Sequence, residues 1–201
     1  MSESLIRHHG LASLLAELAG STSTDPGTTV AVRGDLGHIN LRGRASDAGF
    51  VASVEQELGQ PLPVEPNTMS TSQHHVCWLG PDEWLIVTPV ATATKLAGRL
   101  EHALSSSHAA VNDSSGGQIA LMLHGAKCRE LLAMGCTLDL HPREFRVDHC
   151  AQTGLARANV LVALVDDAPT FMIVVRRSFS DYLCRWLSHA GRDTGILFQN
   201  T

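Results

Sequence analysis

The chain has 201 residues, enough for one large domain or two small lobes that bury a core without disulfide staples. Hydrophobic residues make up 44% and charged ones 17%, the balance of an ordinary water-soluble globular protein. With 15 basic and 20 acidic residues the net charge is −5, and no Lys/Arg run interrupts it. That excludes a phosphate-tracking surface and nucleic acid as a partner.

At the start of the chain, Arg7-His8-His9 ahead of the apolar run from Gly10 to Ala19 has the outline of a secretory signal. Glu3 lies in the would-be basic region, however, and Glu17 interrupts a run that is already short. Leu11, Leu14, Leu15 and Leu18 follow helical spacing instead, so a short amphipathic helix packed on the domain is expected. No stretch approaches the roughly 18 apolar residues that span a bilayer. The expectation is a cytoplasmic protein with no membrane partner. The cysteines (Cys77, Cys128, Cys136, Cys150, Cys184) are scattered, odd in number and never in a Cys-x-x-Cys pair, so free thiols are expected.

Val30 and Val32 before the Gly34-Asp35 turn suggest the first strand of a hairpin. Ile39-Asn40-Leu41-Arg42-Gly43 alternates like a half-buried strand and ends at a glycine. A helix then starts at Asp47, carries Phe50, Val51, Val54 and Leu58 on one face, and stops at Gly59. The proline-rich stretch from Gln60 to Asn67 reads as a loop. Cys77-Trp78-Leu79-Gly80-Pro81-Asp82-Glu83-Trp84-Leu85-Ile86-Val87 reads as two strands around a proline turn, followed by a helix carrying Leu96, Leu100 and Leu104.

The pattern then starts again. Ala110 and Val111 precede a dense turn signal over 112–117, and Leu121-Met122-Leu123-His124-Gly125 is another strand ending at glycine. It leads into a one-sided helix with Cys128, Leu131 and Leu132, closed by Gly135. Phe171 to Val175 follows the turn Asp166-Asp167-Ala168-Pro169, and a helix carrying Phe179, Leu183, Trp186 and Leu187 comes next. Gly125 lies 82 residues after Gly43 (125 − 43), and Phe171 lies 87 after Trp84 (171 − 84), a difference of a few loop residues. Four elements in one order imply an internal duplication. The expected fold is α+β, a single domain of two β-α-β-β-α, ferredoxin-like lobes: 1–108 with the N-terminal helix, and 109–201.

Candidate chemistry is sparse. Cys136, His141, His149 and Cys150 are the tightest metal-like cluster, but adjacent His149 and Cys150 would point to opposite faces of a strand. His8-His9 and His74-His75 share that defect. Cys77, Cys128 or Cys150 could each be paired with a histidine, yet no nucleophile signature surrounds them. Gly34, Gly37, Gly116 and Gly117 lack the spacings that align backbone amides on a phosphate. The neighbours Asp82 and Glu83 could form a carboxylate pair, but Gly80-Pro81-Asp82-Glu83 fits a tight turn better. Trp78 and Trp84 concentrate aromatic surface in a chain with only 4% aromatics. Either both plug the core, or at least one lines a subunit contact, where tryptophan is enriched. No catalytic, cofactor-binding or metal residue is expected; Trp78, Pro81, Asp82 and Trp84 are the candidate turn or subunit-contact residues.

Three segments together resemble the gamma subunit of heterotetrameric sarcosine oxidase: Cys77 to Leu85, Arg7-His8-His9-Gly10-Leu11, and Leu121-x-Leu123-x-Gly125. That family is similar in turn to the duplicated folate-binding domain of glycine-cleavage aminomethyltransferases, which accounts for the repeat. The resemblance implies an oxidase that demethylates sarcosine to glycine, with peroxide and either formaldehyde or 5,10-methylenetetrahydrofolate as products. It implies partners called alpha, beta and delta that hold FAD, FMN, NAD, zinc and tetrahydrofolate, and a gamma chain that holds no cofactor and serves assembly. The alternative from another class is a stand-alone folate-dependent aminomethyl carrier or transferase.

Overall fold

The strands and helices expected from the apolar spacing form, and further strands appear at Met69–Thr71, Cys150–Leu155, Ala158–Asp166 and Ile196–Asn200. The computed structural model describes residues 11–19 and 26–200, so Arg7-His8-His9-Gly10 lies outside the described residues. In chain order the elements are α1 (Ala12–Ala19), β1 (Thr28–Arg33), β2 (Leu36–Arg42), α2 (Ala48–Leu58), β3 (Met69–Thr71), β4 (His75–Gly80), β5 (Glu83–Pro89) and α3 (Val90–Ala103). There follow β6 (Ala110–Asp113), β7 (Gln118–His124), α4 (Cys128–Ala133), β8 (Cys150–Leu155), β9 (Ala158–Asp166), β10 (Thr170–Arg176), a 3-10 turn Arg177–Phe179, α5 (Ser180–Ala190) and β11 (Ile196–Asn200). Phe179, expected on the last helix, sits in the 3-10 turn and is exposed.

Local chemistry sets the helix ends. The Asp47 carboxylate accepts from the backbone N–H groups of Gly49 and Phe50 at 2.9 and 3.2 Å, capping α2. Gly59 closes the same helix in the left-handed region at φ 66°. Phe50, Val54 and Leu58 form the buried face between those caps.

Two sheets pack face to face with helices outside them. One is ordered β3-β4-β5-β2-β6 and is wholly antiparallel; α2 and α3 cover its outer face through Ile39, Leu41, Trp84 and Ile86. The other is ordered β11-β1-β7-β10-β9-β8, with β1 and β11 parallel, and α1, α4 and α5 cover its outer face. Between the sheets lies a third core of Met69, Cys77, Leu85, Val87, Ala120, Cys150, Leu161, Ala163, Met172 and Val174. Each sheet thus buries the centre of both its faces, while edge strands such as β6 stay largely exposed.

The duplication shows in the hydrogen-bond registers. Along β2 and β5 the pairs run from Leu36↔Pro89 to Arg42↔Glu83. Along β7 and β10 they run from Gln118↔Arg176 to His124↔Thr170, the same seven steps. Gly43 and Gly125 follow directly on β2 and β7, and Leu96 and Leu183 are both buried on α3 and α5. Where the halves meet, Cys150 N donates to Asn67 O at 2.9 Å and Met69 N to Asp148 O at 2.7 Å. Asn67 and Asp148 carry matching left-handed φ values of 60° and 63°. These reciprocal bonds mark a local two-fold relation between the repeats.

The expected front hairpins do not form, because each repeat's first strand crosses to the other sheet. β1 pairs with β7 and β11, not β2, and β6 pairs with β2, not β7. The order β6-β2-β5-β4 is the ferredoxin arrangement, completed by a strand from beyond residue 108. In return, β1 completes the second unit. The N-terminal helix also packs on the second sheet, through Leu11, Leu14, Leu15 and Leu18 and an Arg185–Glu17 ion pair at 3.0 Å. A cut at 108/109 thus separates the repeats in sequence but not the sheets in space.

Candidate functional site

The proline turn lies where the two-residue connection of β4 to β5 requires it, with Gly80 opposite Glu83 and Trp78 opposite Trp84. Pro81 and Asp82 are exposed at its tip. Asp82 O accepts from Gly43 N at 3.1 Å, which docks the turn on the end of β2. The Glu83 carboxylate accepts from Asn40 Nδ2 at 2.7 Å and Arg42 Nη2 at 2.6 Å, while Asp82 lies 3.9 Å from Arg42. Both carboxylates thus face Arg42 of β2, in keeping with a structural turn. A surface hollow of about 360 Å³ beside the tip is bordered by Arg42, Arg44, Asp82 and His108.

The two tryptophans part company. Trp84 has 0% exposure, packs on Phe50 with ring centroids 5.7 Å apart, and donates from Nε1 to Pro63 O at 2.7 Å. It is a core residue and cannot touch another subunit. Trp78, its cross-strand neighbour on the same face, is half-buried and keeps an edge available.

The cysteines are free thiols set into the cores. Burial pushes Cys128 up to about 11 and Cys184 up to about 12. Cys77 is also raised, by the neighbouring Cys150 thiol and by burial. Cys150 Sγ donates to Thr68 O at 3.2 Å across the two-fold contact. Thiols raised like Cys77, Cys128 and Cys184 are poor nucleophiles and poor metal ligands. Cys136 Sγ lies 3.8 Å from Thr153 Oγ1, whereas His141 Nδ1 accepts from Arg143 N and the His149 ring packs edge-on against Phe145. Among the described residues no three His, Cys, Asp or Glu side chains gather as a metal set.

Sequence reasoning passed over two groups. His38 has 0% exposure in β2, and neither ring nitrogen has a hydrogen-bond partner. Burial lowers its pKa to about 4, against an opposing pull from the Asp113 carboxylate. The second group lines a cleft of about 490 Å³ at one end of the seam between the sheets. Its floor carries Gln118, Gln152, Asn159 and Arg176 around Val174 and Leu161, and its roof is Leu79 and Leu85. Gln118 and Arg176, at the ends of the apolar runs 119–123 and 171–175, were the available signal, but a polar strand end reads as solvent-facing.

A family model described as "Sarcosine oxidase, gamma subunit family" matches residues 42–193. The chain is 32% identical over 154 residues to a sarcosine oxidase subunit gamma of Corynebacterium sp. (strain P-1), covering 76% of this chain and 74% of that one. It is 33% identical over 160 residues to the same subunit of Corynebacterium sp. (strain U-96), covering 80% and 71%. Among solved structures it matches a chain of the heterotetrameric sarcosine oxidase from Corynebacterium sp. U-96, in complex with pyrrole 2-carboxylate. The TM-score is 0.85 at 28% identity, over 94% of this chain and 96% of that one. The glycine cleavage aminomethyltransferase T of Bartonella henselae shares the fold at TM-score 0.63 and 14% identity, over 92% of this chain and half (50%) of the other. The chain belongs to the sarcosine oxidase gamma subunit family.

Proposed function

We propose that this chain is the assembly subunit of a heterotetrameric sarcosine oxidase and performs no redox step of its own. The observation that carries the reading is the match, nearly end to end on both sides, to a chain of a solved heterotetramer of that activity. Oxidation of an N-methyl amine needs a flavin or an equivalent electron acceptor. The described residues offer buried protonated thiols and carboxylates engaged with arginine, which suit packing better than hydride transfer. FAD, FMN, NAD and zinc would then be held by the alpha, beta and delta partners, with tetrahydrofolate as the one-carbon acceptor elsewhere in the complex. No helix of the described residues is long and apolar enough to cross a membrane, which is compatible with a cytoplasmic enzyme.

Coexpression with the alpha and beta partners should yield a yellow complex, active on sarcosine, that contains this chain. Purified alone, the chain should be colourless and inactive. Sarcosine turnover or bound flavin in the isolated chain would end the assembly reading. The aminomethyltransferase likeness is one of fold; tetrahydrofolate binding by the isolated chain would be needed to favour a carrier role.

A further inference from the structure

The cleft at the end of the inter-sheet seam is built differently from its counterpart in the first repeat. Cross-strand registers define its floor: Gln118 lies opposite Arg176, Val174 opposite Leu161, Leu161 opposite Gln152, and Asn159 opposite Gly154. The result is an apolar centre, Val174 and Leu161, inside a polar rim. Gln152 Nε2 donates to Leu79 O at 3.0 Å and ties the roof to the floor. The Gln118 Oε1 atom is buried without a hydrogen-bond partner.

The matching ladder in the first repeat places Leu36 where the second has Gln118, Pro89 where it has Arg176, and Val87 where it has Val174. The fold therefore needs neither the amide nor the cation at these points, and the apolar floor is common to both. Arg33 and Arg177 border an adjoining hollow that Gln118 also lines, so this end of the molecule gathers arginine in a chain of net charge −5. Arg33 is matched by Asp35 at 2.7 Å; Arg176 is exposed and pairs with no carboxylate of the described residues. The cleft, about 490 Å³, opens to the surface. An apolar centre, a polar rim and an uncommitted arginine are the anatomy of a protein contact.

We infer that this cleft seats a segment of another subunit of the oxidase. The segment lays an apolar side chain on Val174 and Leu161, meets the Gln118 amide on the cleft floor, and sets an aspartate or glutamate against Arg176. The inference rests on the assembly reading above and adds to it the surface and the chemistry of the partner.

The test uses the coexpressed oxidase. Arg176→Glu should lower the yield of assembled complex by tenfold or more, while the free chain's Tm stays within a few degrees. Gln118→Leu, which installs the first repeat's residue, should leave the free chain at least as stable and still weaken assembly. With a photo-crosslinking amino acid at position 159, the assembled oxidase should crosslink to one partner subunit. A cysteine from Asn159→Cys should react with maleimide at least tenfold more slowly in the complex than in the free chain, with the wild-type chain as blank. Full-rate labelling in an intact complex, or protection without any crosslink, would overturn the cleft assignment and leave the assembly reading standing. If the wild-type chain copurifies with no flavin-bearing subunit, the assembly reading falls and the cleft assignment with it.

Discussion

His38 and Trp84 are both wholly buried, yet they respond to opposite perturbations. The native His38 ring stays neutral down to about pH 4, whereas an exposed histidine protonates near 6.5. Between those values the unfolded chain binds a proton that the native chain refuses, so stability is complete above pH 6.5 and falls as pH drops toward 4. The gap is worth on the order of 3 kcal/mol. His38→Leu should flatten the acid limb of urea-unfolding stability between pH 6.5 and 4.5; an unchanged slope would assign that limb to other groups. Trp84→Ala would remove the Phe50 contact and orphan the Pro63 carbonyl, at a cost of about 3–5 kcal/mol in denaturant unfolding of the free chain. Half-buried Trp78 should cost no more than roughly 2 kcal/mol on truncation to alanine. A drop in copurified complex larger than that loss explains would mark its exposed edge as a contact.

The elements are held by local devices with separable strengths. Asp47 caps α2 with two backbone hydrogen bonds, and Asp47→Ala should cost about 1 kcal/mol. In a chain of this size that is a fall of about 2–4 °C in a calorimetric scan. The matched glycines after β2 and β7 are needed for different reasons. A side chain at Gly43 would run into the Phe50 ring, while Gly125 sits at φ +127° and a β-carbon added there would meet the Gly27 carbonyl oxygen. Gly125→Ala should therefore cost about 1–3 kcal/mol from backbone conformation alone, and more from the clash. A Tm unchanged from wild type would show that the β7–α4 connection can reshape.

At the scale of the whole molecule the exchanged strands decide cooperativity. β1 leaves the first repeat to lie against β7, and β6 leaves the second to lie against β2, so neither sheet is complete without the other half. The shared layer from Met69 to Val174 couples them further. Thermal or urea unfolding should give one transition by both fluorescence and circular dichroism; two resolved transitions would contradict the coupling. A fragment of residues 1–108 should fail to fold, because it lacks β6 and carries β1 without either of its partner strands, β7 and β11.

The sequence by itself determined most of the elements, the duplication and the family, but not the strands β3, β8, β9 and β11. Apolar spacing, the Asp47 and Gly59 helix ends and the Gly-Pro-Asp-Glu turn are local facts, set by φ/ψ preference and by side chains a few residues apart. The repeat was legible because each β-α-β-β-α unit must solve the same packing problem with the same periodicity. Which sheet β1 and β6 join was decided only in three dimensions, since strand pairing depends on partners far along the chain. The same is true of His38 and Gln118. Polar residues on strands read as solvent-facing, and only the stacking of one sheet on the other turns that second face into an interior. The choice between core and contact for Trp84 was closed by tertiary packing as well, because tryptophan suits either place until Phe50 and Pro63 enclose it.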